Sequence, residues 1–152
     1  MKKEYRHGVF IVTYRKSNNK IFYLILKRNL HWKGWEFPKG GINNKKQILE
    51  EVKRELKEET GQIPIKLKSF DISGKYPYNK EYKDRPGFNG QTYLLFSAEI
   101  KNERINMDNI EHSGYKWLEF EKAWSILKFP NQRKCLRIVN NWLKKKKILN
   151  SS

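Results

Sequence analysis

An α+β fold is predicted for this chain, with residues 1–152 forming a single domain. Three observations carry that prediction. β-rich runs fill the N-terminal part, apolar residues then recur at three- and four-residue spacing, and strand-like runs return before a last helical stretch. No segment repeats, and no linker-like composition divides the chain. With 152 residues and 14% aromatic side chains, it is long enough to bury a sizeable core.

The elements follow in order. "HGVFIVTYR" and "KIFYLILKR" are β-rich, and the turn-forming "KSNN" between them makes a hairpin. "NLHWKGWEFPKGG" is expected to be loop, because Pro38 and two glycines block regular structure. From Lys45 to Thr60 the spacing of Ile48, Leu49, Val52 and Leu56 predicts a helix, ended by Gly61. Leu49, Val52 and Leu56 are its expected core stripe. "IPIKLKSFDIS" and "GQTYLLFSAEI" are strands, joined by the long polar loop "GKYPYNKEYKDRPGFNG" with four aromatic residues, a length that often marks function. "GYKWLEF" is a short strand and "EKAWSIL" a short helix. Asn131 is the expected cap of a final helix that buries Leu136, Val139 and Leu143. Lys144 to Lys147 then form a basic end, ordinarily a solvated face.

Thirty-three Lys and Arg against sixteen Asp and Glu give a net charge of +17. That balance favours polyanions such as nucleic acid, nucleotides or an anionic membrane surface, unless it reflects general lysine usage. Cys135 is the single cysteine, so no intrachain disulfide forms and a reducing cytoplasm is expected. It reads as a packing residue. No apolar stretch approaches the ~18 residues of a membrane span, and the start lacks a signal-peptide profile. Neither a membrane nor an obligate protein partner is expected. His7, His31 and His112 lie far apart, without zinc-ligand spacing.

Within this basic chain Glu50, Glu51, Glu55, Glu58 and Glu59 crowd into one helix. Glu55, Glu58 and Glu59 stand at i, i+3 and i+4 and share a side. They offer hard oxygen ligands to magnesium. The alternative is a surface helix laced with Glu–Lys pairs, since Glu50 stands four before Arg54. The preceding "FPKGG" turn brings backbone amides to the helix N-terminus, where anions are favoured. A phosphate site beside a metal site is what phosphoanhydride cleavage requires.

These residues resemble the signature of the Nudix hydrolases, G-x5-E-x7-R-E-U-x-E-E-x-G-U, where U is bulky and aliphatic. Gly40, Arg54, Glu55, Leu56, Glu58, Glu59 and Gly61 match in register. The resemblance implies a Nudix-type α/β/α sandwich with a mixed sheet. It also implies a magnesium cofactor, replaceable by manganese, with Gly40, Glu55, Glu58 and Glu59 in the metal set and Arg54, Glu55 and Glu58 in catalysis. Two positions depart from the pattern: Lys46 replaces a glutamate that would pair with Arg54, and Gln62 replaces an aliphatic residue. Without that glutamate Arg54 is expected to lack its partner and the loop to lose stability, the alternative being that Glu50, one turn before Arg54, substitutes; Ile63 takes the aliphatic role if the strand begins one residue later.

Beyond that signature, "GWEFPKGGI" and the segment from Glu111 to Leu143 are similar to dinucleoside tetraphosphate hydrolases and RNA 5′-pyrophosphohydrolases. The similarity implies that Glu111 is a further metal or base glutamate, that Phe129 stacks on a nucleobase and that Lys39 meets the phosphates. Each has a plainer alternative: a loop carboxylate, a packing ring, a solvated lysine. Tyr76, Tyr78 and Tyr82 either line a base pocket or fold their loop on itself. "EHSGYKWLEFEKA" ranks a dinucleotide substrate narrowly first, with asymmetric cleavage of diadenosine tetraphosphate to ATP and AMP. The charge of +17 supports RNA 5′ ends as the alternative. A nucleic-acid-binding scaffold with little turnover comes last, because it has no need of three metal-binding glutamates.

Overall fold

The computed structural model describes residues 4–78, 80, 82–107 and 110–151, with Lys45 and the last five of these by backbone alone. Strands β1 (Glu4–Ser17) and β2 (Lys20–Arg28) form the expected hairpin, paired from Tyr14↔Tyr23 to Ser17↔Lys20. Asn18 and Asn19 both take positive φ, 52° and 64°, as a tight two-residue hairpin turn requires.

The segment expected to be loop carries two short strands, β3 (Gly34–Glu36) and β4 (Lys39–Gly41). Pro38 separates them without abolishing pairing, because its carbonyl still accepts from Ile11 N of β1 at 2.9 Å. Away from its turn the hairpin splits. Val9 of β1 faces Gly40, and Leu26 of β2 faces Glu36. This wedge sets the floor of the functional site.

Strand β5 (Lys66–Pro77) pairs antiparallel with β6 (Phe88–Glu99), and β6 runs parallel to β1, so the sheet is mixed. The expected 74–90 loop is shorter than read, because Tyr76 and Pro77 still pair with Gln91 and Gly90. Strand β7 (His112–Leu118) covers the other side of β2.

Helix α1 (Ile48–Thr60) lies on one face of the sheet, and α2 (Phe120–Ile126) and α3 (Pro130–Ser151) on the other. Alternation along β1 explains this. Val9 and Ile11 meet Val52 and Leu56 of α1, whereas Phe10, Val12 and Tyr14 pack with Leu136, Val139 and Leu143 of α3. Each fully buried leucine contributes about 1.5–3 kcal/mol. The architecture is an α/β/α sandwich.

Three local expectations need correction. Leu49 is half exposed, because the buried stripe of α1 runs through Val52 and Leu56 and leaves Leu49 to one side. Ile63 is 69% exposed and does not replace the missing aliphatic residue. Gln62 instead donates to the carbonyls of Asn102 and Arg104, fastening the end of the helix to the β6–β7 connection. Asn131 is not the cap of α3. Pro130 opens the helix, and the Phe129 carbonyl accepts from Arg133 N at 3.2 Å. Gly61 does end α1, at φ 78° with its N–H on the Lys57 carbonyl.

Candidate active site

A carboxylate pocket of about 170 Å³ lies where α1 crosses the wedge. Glu55, Glu58 and Glu59 line it from α1, Gly40 from β4, and Glu111 from the residue before β7. Gly40 is there because nothing larger fits: a Cβ would lie 2.1 Å from the Glu55 carboxyl carbon. Glu59 is buried, Glu55 nearly so, and Glu58 is over half exposed at the rim.

Burial without enough positive charge drives the carboxylates upward. Desolvation, joined by Glu58 and Glu111 and opposed by Arg54, raises Glu55 to about 7. Desolvation, then Glu111, Glu36 and Glu55, pushes Glu59 well above the usual carboxylate range.

His112 completes a cluster with Glu59 and Glu111, their ligand atoms within 4.8 Å of one another. Glu59 Oε2 and His112 Nδ1 are 3.3 Å apart, yet both are buried without a hydrogen bond. Orphaned ligand atoms among carboxylates in need of positive charge fit a divalent cation, and hard oxygen donors suit magnesium.

Beneath the pocket lies fully buried Glu36. It meets Arg28 at 3.2 Å, His112 at 3.4 Å and Lys39 at 3.8 Å, and accepts from Trp32 Nε1 at 3.1 Å. Burial alone would raise its carboxyl, but Lys39, His112 and Arg28 hold it at about 2. Arg28 also reaches Glu111 at 3.7 Å. Sequence reading missed Glu36, Arg28 and His112. The available signals were a glutamate inside "WEFPKGG" and a histidine directly after Glu111.

A second, mostly apolar cavity of about 270 Å³ adjoins the first. Trp32, Tyr76, Tyr78, Tyr82 and Phe129 line it, together with Lys39. All three tyrosines therefore converge on one cavity, and Trp32 joins them unforeseen. Lys39 borders both cavities, its Nζ 4.0 Å from the Trp32 ring centroid and 3.4 Å from the Tyr76 hydroxyl. Burial lowers its ammonium to about 8, with Glu36 opposing the shift.

The family model described as the NUDIX domain matches residues 4–138. The chain belongs to the Nudix family. This Nudix hydrolase is 31% identical over 134 residues to the RNA pyrophosphohydrolase of Nitratiruptor sp., across 84% of this chain and 86% of that one. It is 27% identical to the asymmetrical bis(5′-nucleosyl)-tetraphosphatase of Mus musculus, covering 85% of each. Among solved structures it resembles a C. elegans Ap4A hydrolase in a binary complex, at 26% identity and a TM-score of 0.68, covering 92% of this chain and 98% of that one.

Family membership makes the chain a phosphoanhydride hydrolase acting on nucleotide-like substrates. The expectation that Lys46 leaves Arg54 without a partner does not hold, and the compensation comes from Glu51 and not from Glu50. Arg54 binds Glu51, Glu55 at 3.2 Å and Glu58 at 3.0 Å, whereas Glu50 pairs with Lys53. Glu51 faces Arg54 from one turn back along the Nudix helix, at i−3. Cys135 is buried in the core, with burial raising its thiol to about 11. Among the described residues no helix is long and apolar enough to cross a membrane.

Proposed function

We propose that this Nudix enzyme removes pyrophosphate from the triphosphorylated 5′ end of RNA in a reducing cytoplasm. The observation that carries this reading is Lys39, one ammonium shared by an aromatic cavity and a carboxylate pocket. The aromatic side suits a stacked base, and the acidic side suits a metal-bridged polyphosphate. The sequence-based preference for a dinucleotide is reversed. A net charge of +17 exceeds what a small nucleotide needs, and the Nitratiruptor relative is the more similar of the two curated relatives. Cleavage of diadenosine tetraphosphate to ATP and AMP is the second reading, favoured by the C. elegans and Mus musculus relatives.

Magnesium would be held by Glu55, Glu59 and Glu111 with His112 in the same cluster, Gly40 beside them and Glu58 joining from the rim. Such an ion would supply positive charge to the phosphate oxygens as the anhydride breaks. Glu55, held against the β4 backbone and facing the pocket, takes the proton of the attacking water. The water oxygen bonds to phosphorus, and the bridging oxygen leaves with pyrophosphate, yielding a 5′-monophosphate. Arg54 orients Glu55 and Glu58, and Lys39 holds the phosphate chain. Tyr76, Tyr78, Tyr82, Trp32 and Phe129 receive the first base.

Release of pyrophosphate from a triphosphorylated oligonucleotide tests the reading. It should require magnesium, stop with chelator, and fall roughly a thousandfold in Glu59→Gln. Absence of pyrophosphate from the wild-type reaction overturns it.

A further inference from the structure

One edge of the molecule continues from the aromatic cavity into a strip of lysines. On β5, Lys66, Lys68, Phe70, Ile72 and Tyr76 lie on the face covered by α3, Phe70 and Ile72 packing there beside Trp142. Tyr76 opens into the cavity, so the lysines mark the far end. Along α3, Asn131 lines the cavity, and exposed Lys134, then Ile138, Trp142 and Lys146, follow at helical spacing. From Asn131 to Lys146 the helix advances about 22 Å.

At the far end Phe70 and Trp142 meet edge to face, with centroids 5.4 Å apart. Lys68 and Lys146 both place Nζ 5.3 Å from the Trp142 ring centroid. Lys66 and Lys16 crowd Lys146 closely enough to push its ammonium below the ordinary value, with Glu99 as the opposing carboxylate. Such a cluster gains from an arriving anion. Aromatic faces beside ammonium groups are what single-stranded nucleic acid uses without regard to sequence.

We propose that this strip is a track for the single-stranded RNA that follows the 5′ end, with Lys66, Lys68 and Lys146 meeting phosphates and Phe70 and Trp142 meeting bases. The proposal rests on the RNA 5′-pyrophosphohydrolase reading of the site. A dinucleoside polyphosphate has no chain to lay along it.

The test combines Lys66→Glu, Lys68→Glu and Lys146→Glu and measures binding of a fluorescent, 5′-hydroxyl oligouridine longer than the track. Affinity at low salt should fall at least about tenfold, and the salt slope should become shallower by about two. Pyrophosphate release from a triphosphorylated dinucleotide should stay within about twofold of wild type, because these lysines are remote from the chemistry. Glutamine versions, which keep the stems over Trp142, should act in the same direction but less. Unchanged oligouridine affinity and slope in a folded variant overturn the track. So does loss of binding to phosphatidylserine vesicles alone, which would assign the lysines to a lipid surface. If the wild type releases no pyrophosphate but oligouridine binding still falls in the variant, the track stands and the active-site reading fails.

Discussion

Gly40→Ala probes the site through a single methyl group. The added carbon would sit 2.1 Å from the Glu55 carboxyl carbon and 2.2 and 2.6 Å from its oxygens. Ordinary contact begins near 3.4 Å, so the carboxylate must retreat by about 1 Å, and a displacement of that size costs about a hundredfold in rate. The fold should tolerate the change. Gly40 does not have positive φ, and the obstructing atoms end a flexible side chain. A stability loss of about 1 kcal/mol is the upper expectation. Initial rates on triphosphorylated RNA with saturating magnesium, paired with thermal melts, read the two effects separately. Activity within threefold of wild type would refute the claim that Glu55 must stand against the β4 backbone.

Four further outcomes follow from the same geometry. Phe129→Ala should raise KM roughly five- to a hundredfold through loss of ~1–3 kcal/mol of stacking, with little change in Tm because the backbone carbonyl that caps α3 remains. Lys46→Glu should change stability by no more than ~0.5 kcal/mol, read as a nearly unmoved Tm, because Arg54 already holds Glu51, Glu55 and Glu58. Without metal, Glu55 and Glu59 bind protons more tightly folded than unfolded, so stability should fall as pH rises from the usual carboxylate range through about 7. Magnesium competes with those protons, so the rise in Tm on adding it should be larger near pH 8 than near pH 6. A pH-independent rise would contradict the assignment.

What could be read from the sequence was mostly local. The Asn18-Asn19 turn, the period of α1 and its glycine stop need no distant partner. The glutamates of α1 were visible for the same reason. β3 and β4 were not, because three-residue strands carry no period and exist only as partners of β2 and β1. His112 and Glu36 were hidden by distance along the chain. They meet because Glu36 pairs with Leu26 and His112 with Arg28, two nearby positions of β2. Leu49 was misread because three- and four-residue spacing fits two neighbouring stripes, and only packing chooses between them.

Substrate preference, proposed here for RNA 5′ ends over dinucleotides, can be read in one experiment. Triphosphorylated RNA and diadenosine tetraphosphate compete in one magnesium-containing tube, with all products separated and quantified. Pyrophosphate and 5′-monophosphorylated RNA should form with at least about tenfold higher kcat/KM, a preference of about 1.4 kcal/mol. Faster accumulation of ATP and AMP would contradict it.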